Sequence, residues 1–323
     1  MQTIVEDMGA EGNVHRIVVP TPLPLGSMNV YVIDAKPITL IDTGPDTDAT
    51  LMDLKAGLSD IDLGFKDIER IVLTHGHVDH CGLVHELSKV SDPEILAHEQ
   101  DEDMIEDFGA ASSERFEQCE ETLECTGVPS QTLQVLREFM EFLGSLTHTC
   151  TVTRALKDGD KIDFENDEMD VIYTPGHSSG SACYKYGDVI FSGDSLLIEN
   201  SPCSVYGGAD KRSMGLDDFL DSMRKLAKYG AKLVYPGHGD PFEDIEEHVK
   251  MMQKAYEARR DTITGYLEGE GLTAFELMNR LFGNMSIEQV LIGLGETLGH
   301  LEILVEEKAV KTEEREGLIY YSI

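Results

Sequence analysis

The chain contains no tryptophan, and aromatic side chains make up only 7% of its 323 residues. Basic residues are scarce as well: 26 Lys and Arg stand against 61 Asp and Glu, a formal charge of -35. A nucleic-acid groove gathers cations and interleaves aromatic rings on which bases stack, so this composition counts against polynucleotide partners. It counts against anionic membrane surfaces for the same electrostatic reason. The six cysteines, Cys81, Cys119, Cys125, Cys150, Cys183 and Cys203, include no CxxC pair. In a chain without a leader they read as reduced, buried thiols rather than a disulfide scaffold. The opening residues, MQTIVEDMGAEGNVHRI, carry neither a basic nor an apolar leader segment, and no apolar run reaches membrane-span length. The expectation is a soluble cytoplasmic protein whose acidity serves the solubility of its surface.

The length suits one large domain plus a small one, and 41% hydrophobic content supplies a sizeable core. VHRIVVP, MNVYVID and ITLIDTG read as a β-meander, and residues 46–59 as a helix with Leu51, Leu54 and Leu58 on one face. RIVLT is then a short buried strand, HCGLVHELSK a helix and EILAHE a further strand. Residues 101–148 look like a helical insertion over the core sheet; counted from Glu99 they hold 13 acidic residues and two basic ones. Met104, Ile105 and Phe108 offer an apolar wall there. Strands return in CTVTRALKDGDKIDF, MDVIYTPGH and SACYKYGDVIFSGD, where DG and YGD predict hairpin turns. FLDSMRKLAKYG reads as a helix and KLVYPGHG as a strand. Beyond residue 243 the pattern becomes a long linker helix, two helices with capping-box spacing at Thr273/Glu276 and Ser286/Gln289, and two final strands. This suggests a domain over 1–243 and a C-terminal part over 244–323 that ends in a small winged-helix-like module from about 262. Leu291, Leu294, Leu298, Leu301 and Leu304 form a stripe that could serve its core or a homodimer.

Chemistry concentrates in THGHVDH, where His75, His77, Asp79 and His80 lie within six positions. His75 and His77, one residue apart in a loop, can face one point, while Asp79 and His80 face a second. Metal ions of the zinc type favour such imidazole and carboxylate donors, but four ligands from one loop cannot close two sites. Three further candidates stand at strand ends beside glycines: His177 in VIYTPGHSSG, Asp194 in DVIFSGDSL and His238 in KLVYPGHGDPF. The set HxHxDH, H, D, H, in this order and spacing, resembles the metallo-β-lactamase superfamily over roughly residues 14–242. The resemblance implies an α/β fold, a four-layered αββα sandwich. It also implies a first metal on His75, His77 and His177, a second on Asp79, His80 and His238, and Asp194 shared between them. Asp42 in LIDTG matches a supporting position behind the metal loop. The other six histidines, His15, His85, His98, His148, His248 and His300, read as structural or surface residues without ligand partners.

Two Zn2+ ions, with Fe or Mn as alternatives for the same ligands, would make a bridging hydroxide that attacks a carbonyl or phosphoryl centre, with Asp79 orienting it and receiving its proton. An aspartate at position 194 turns the resemblance away from the true β-lactamases. It points towards glyoxalase II-like thioesterases, lactonases and phosphodiesterases. The first reading is therefore hydrolysis of a small ester, thioester or lactone. The overall layout is similar to a lactamase-B-like subgroup that includes a ribonuclease, which makes phosphodiester cleavage the second reading. A third is a metal-stabilised regulatory or oligomerisation protein. Tyr206, Lys211 and Arg212, after Asp194, are candidates for binding an anionic substrate tail.

Overall fold

The computed structural model describes residues 5–7, 13–23, 26–197, 213–283 and 285–323. Tyr206, Lys211 and Arg212, the expected substrate contacts, lie outside the described residues, as does Cys203. A first sheet arranges its seven strands in chain order: β1 (Val5–Asp7), β2 (Val14–Val19), β3 (Met28–Ile33), β4 (Thr39–Ile41), β5 (Arg70–Val72), β6 (Glu94–His98) and β7 (Arg154–Leu156). β2 to β4 form the antiparallel meander read from the sequence, β1 adds an antiparallel strand at its edge, and from β4 onward the pairing is parallel. Parallel neighbours need crossovers, and helices supply them. α1 (Asp48–Asp60) connects β4 to β5, and α2 (Val78–Cys81) with α3 (Val84–Ser91) connects β5 to β6. The insertion, α4 (Glu102–Glu106), α5 (Phe108–Cys125) and α6 (Ser130–Gly144), connects β6 to β7.

The second sheet comprises β8 (Lys161–Asp163), β9 (Glu168–Tyr173), β10 (Ala182–Tyr186), β11 (Val189–Gly193), β12 (Leu233–Pro236) and β13 (Phe242–Glu243). β8 to β11 are antiparallel; α7 (Leu216–Leu226) then returns the chain so that β12 joins β11 in parallel. Alternation along β3 explains how the layers assemble. Tyr31 and Ile33 face the second sheet, where they meet Tyr184, Phe191 and Tyr235, while Val30 and Val32 face Leu54 and Leu58 of α1. On the far side Phe219, Met223 and Leu226 of α7 cover Ile172, Ile190 and Val234. The order is helix, sheet, sheet, helix.

One expected turn does something else. KDGDK has the composition of a hairpin turn, but β7 ends in the first sheet and β8 begins in the second, so Asp158-Gly159 carries the chain between layers. The physical reason is partner choice. β7 takes its ladder from β6 and β8 takes its ladder from β9, a hairpin closed by Phe164 N–H donating to Asp167 C=O at 2.8 Å. The YGD turn does join an antiparallel pair, with Tyr186 opposite Val189.

The C-terminal part contains α8 (Ile245–Leu267), α9 (Ala274–Phe282), α10 (Ile287–Glu306) and the hairpin β14 (Lys311–Arg315) with β15 (Leu318–Ser322). At α9 the capping box forms in both directions: Thr273 Oγ1 accepts the Glu276 N–H at 3.2 Å, and Glu276 Oε2 accepts the Thr273 N–H at 2.9 Å. The leucine stripe of α10 is used within the chain. Leu294, Leu298, Leu301 and Leu304 are buried against Leu277 and Met278 of α9 and, from the insertion, Phe116, Leu123, Leu133 and Leu136. The root of the insertion reaches the core over the first sheet through Ile105, and Met104, Phe108, Ala111 and Leu146 pack with Val78 of α2. Truncating Leu294, fully buried in this shared core, leaves a cavity; Leu294→Ala should cost about 2–5 kcal/mol of unfolding free energy, measured by chemical denaturation.

Candidate metal centre

All the candidate metal residues stand just beyond strand ends on one rim of the sandwich. His75, His77, Asp79 and His80 follow β5, with Asp79 and His80 in α2. His177 follows β9, Asp194 follows β11, His238 follows β12, and Asp42 follows β4. Hydrogen bonds across the rim lock the two sheets together at this place. Tyr184 Oη donates to Leu73 C=O (2.7 Å) and the Ala182 N–H to Thr74 C=O (2.9 Å). The side chain of Asn29 donates to Pro236 and Gly239 carbonyls at 2.9 and 2.8 Å. Glycine is required where β12 arrives, because a Cβ on Gly237 would stand 2.6 Å from both Asp194 Oδ1 and His80 Cε1.

The side chains separate into two clusters. His75 Nε2, His77 Nδ1 and His177 Nε2 lie 2.9 to 3.2 Å from one another. Ligand nitrogens about 2.0–2.1 Å from one tetrahedral ion would be roughly 3.3 Å apart, so this triangle fits a zinc-type ion. Asp79, His80 and His238 form the second cluster, with His238 Nε2 at 3.3 Å from Asp79 Oδ2. Asp194 stands between them: its Oδ2 is 3.6 Å from His177 Nε2 and 3.8 Å from His238 Nε2, and its Oδ1 is 3.5 Å from His80 Nε2. His80 Nε2, His238 Nε2 and Asp194 Oδ1 are buried with no hydrogen-bond partner. Orphaned polar atoms facing one point are what a cation would satisfy.

The neighbouring groups decide which ring nitrogen is bare. Thr74 Oγ1 donates to Asp42 Oδ2 (2.7 Å) and so accepts from His75 Nδ1 (3.1 Å), which leaves His75 Nε2 with its lone pair. Asp42 Oδ2 accepts from His80 Nδ1 (2.8 Å) and the Ser27 carbonyl from His238 Nδ1 (3.0 Å), so Nε2 is the nitrogen that each of these rings turns to the centre. Asp42 also accepts the Thr74 N–H at 2.8 Å, and does so from a backbone at φ 59°. The expected supporting position therefore contacts both the metal loop and His80.

Sequence reading missed Asp101. It is buried at the root of the insertion, and its carboxylate accepts hydrogen bonds from Gly76, Ser178 and Gly180. No motif spacing marks it, since its partners come from two distant loops. Of the remaining histidines, His98 stacks on Tyr173 with ring centroids 4.0 Å apart and His85 Nδ1 meets Thr149 C=O at 2.9 Å. His148 differs from expectation: the return of the chain from the insertion brings it to 3.2 Å from Asp46 Oδ2, with Glu86 nearby. Met104 packs on the metal loop, where a Cβ on Gly76 would be 2.8 Å from its own Cβ.

Electrostatics differ between the two halves. Burial, together with neighbouring imidazoles, holds His75 well below the usual imidazole range and brings His77 down to about 4, so both present lone pairs at neutral pH. Burial would lower His80 and His238 too, but the Asp194 charge, joined by Asp79 and by Asp42 at His80, outweighs it and raises both. Asp79 is pushed up by burial and pulled down further by His80 and His238, to about 2. Metal ions therefore have to displace protons from the second cluster. Binding should release protons and tighten as pH rises through and above the imidazole range. Calorimetry in two buffers of different ionisation enthalpy checks this; identical heats would contradict it.

Comparison with known proteins places this geometry. The chain is 27% identical over 308 residues to the probable metallo-hydrolase YqjP of Bacillus subtilis, covering 94% of this chain and 95% of that one. It is 28% identical over 130 residues to an atrochrysone carboxyl ACP thioesterase of Aspergillus fumigatus, covering 38% and 37% of the two chains. The crystal structure of a metallo-beta-lactamase family protein from Thermus thermophilus superposes with a TM-score of 0.81 at 28% identity, over 96% of this chain and 98% of that one. Residues 23–238 match the pattern of the metallo-beta-lactamase superfamily, a span that takes in every candidate ligand, and the chain belongs to that superfamily.

Proposed function

We propose that the protein is a dinuclear metal-dependent hydrolase acting on the carbonyl of a small ester, thioester or lactone. The observation that carries this reading is the position of Asp194, within 3.5 to 3.8 Å of imidazole Nε2 atoms in both clusters. His75, His77 and His177 would hold one divalent ion, Asp79, His80 and His238 the other, and Asp194 both. Zinc suits these donors, and iron or manganese would be accepted by the same set. Bound there, two such ions supply a water acidified towards neutrality and a Lewis acid for the substrate oxygen.

The chain's own residues supply the rest. Asp79, kept ionised beside His80 and His238, orients the attacking water and takes its proton on a carboxylate oxygen. Asp42, Thr74 and the Ser27 carbonyl hold the imidazoles in the productive tautomer. Leu73 and Thr74, buried under Tyr184 and Ala182, keep bulk water from the back of the centre.

The carbonyl reading is supported by the thioesterase among the relatives and by an acidic surface that repels polyanions. Lys211, Arg212 and Tyr206 are proposed, from sequence alone, to contact an anionic substrate tail. Residues 1–243 would form the catalytic domain, and 244–323 a linker helix and a winged-helix-like module that packs against the insertion. A cytoplasmic setting suits the reduced thiols.

Metal quantification joined to a panel of acyl thioesters, lactones, phosphodiesters and a cephalosporin tests the proposal. Two ions per chain and turnover of a carbonyl substrate are expected, and Asp79→Asn should lower kcat by about 10²–10⁴-fold. Fewer than two ions at saturation defeats the dinuclear reading, and cleavage of phosphodiesters alone would move the activity to a nuclease.

A further inference from the structure

We propose that Asp101 is a positioning residue for the three-histidine half of the centre, holding the loop of His75 and His77 and the loop of His177 at one fixed separation. The inference rests on the metal-centre reading above, since it concerns where those imidazoles sit. Asp101 is 1% exposed and lies where β6 gives way to the insertion. Its Oδ2 accepts the Gly76 N–H at 2.9 Å and the Ser178 hydroxyl at 2.6 Å, and its Oδ1 accepts the Gly180 N–H at 2.8 Å. Gly76 is the residue between His75 and His77, and Ser178 directly follows His177. One carboxylate thus joins the two backbones that carry all three imidazoles.

The contact calls for a side chain that accepts hydrogen bonds and donates none. Three donors converge on two oxygens, and a carboxylate offers about four lone-pair directions and no hydrogen to clash with them. An amide at this place would turn one N–H against a backbone N–H or a hydroxyl. The fit is also steric. A Cβ on Gly180 would be 2.4 Å from Asp101 N and 2.5 Å from Asp101 Cβ, so the His177 loop closes directly onto this residue. His80 and His238 are held by other groups, Asp42 and the Ser27 carbonyl, neither of which Asp101 hydrogen-bonds. The effect of Asp101 should therefore fall on one metal position and spare the other.

Cobalt titration of the full chain, followed by visible absorption and by competition with a chromophoric chelator, resolves the two positions. His77→Ala and His238→Ala assign the binding steps. Asp101→Asn should weaken the step that His77→Ala abolishes by about 10- to 100-fold and shift its absorption bands, leaving the step that His238→Ala abolishes unchanged. Equal weakening of both steps, as from general loosening of the fold, or no weakening of either, would overturn the proposal. Ser178→Ala removes one donor while keeping the carboxylate and should shift the same step by a smaller factor; it decides the matter if Asp101→Asn does not accumulate as folded protein. A wild-type chain that takes a single ion lost in His77→Ala would defeat the dinuclear reading and leave the Asp101 test intact.

Discussion

Bringing five imidazoles and two carboxylates within a few ångströms of each other, out of water, is the constraint around which this molecule is organised. Left alone, such groups would repel, protonate or turn away. The fold prevents this by giving the histidines a second contact behind the site: Thr74 for His75, Asp42 for His80, the Ser27 carbonyl for His238. Those contacts are possible because strands of both sheets end on one rim and are tied across it by Tyr184, Ala182 and Asn29. The sandwich core, with Tyr31, Tyr184, Phe191 and Tyr235 between the sheets, keeps the rim from spreading.

Much of this was legible in the chain before its structure. Short runs rich in β-branched residues, bounded by Gly, Pro and Lys, located the strands, and polar residues immediately after apolar strands located the ligands, because a sheet buried on both faces exposes chemistry only at its ends. What could not be read depended on partner choice over long sequence separations. The Asp158-Gly159 turn has hairpin chemistry, yet it crosses between sheets because β7 and β8 find better partners in β6 and β9. Asp101 carries no local signature, since Gly76 and Gly180 reach it from loops distant in the sequence. The leucine stripe of α10 was visible, but the sequence could not say that Leu133 and Leu136 of the insertion would cover it.

Net charge and site chemistry are related. With 61 acidic against 26 basic side chains the chain repels polyanions, and the same field raises the local concentration of small cations. The exposed ion pairs, such as Lys36 with Glu69 and Lys232 with Asp188, contribute little to stability individually and leave most of that charge uncompensated. The centre itself is less negative than the surface suggests, because His80 and His238, which neighbouring carboxylates hold above the usual imidazole range, confront Asp79 and Asp194, and Asp42 at His80, at close range.

The apolar cluster shared by the insertion and α10 also bears on how the protein is made. Phe116, Leu123, Leu133 and Leu136 leave the ribosome long before Leu294, Leu298 and Leu301, the residues that cover them. During synthesis the insertion must wait with its apolar face open while both sheets are completed, and this non-local closure is slow by its topology. α5 carries exposed Glu114, Glu117 and Glu124 beside that face, and like charge of this kind opposes the association of chains whose apolar surface is still open.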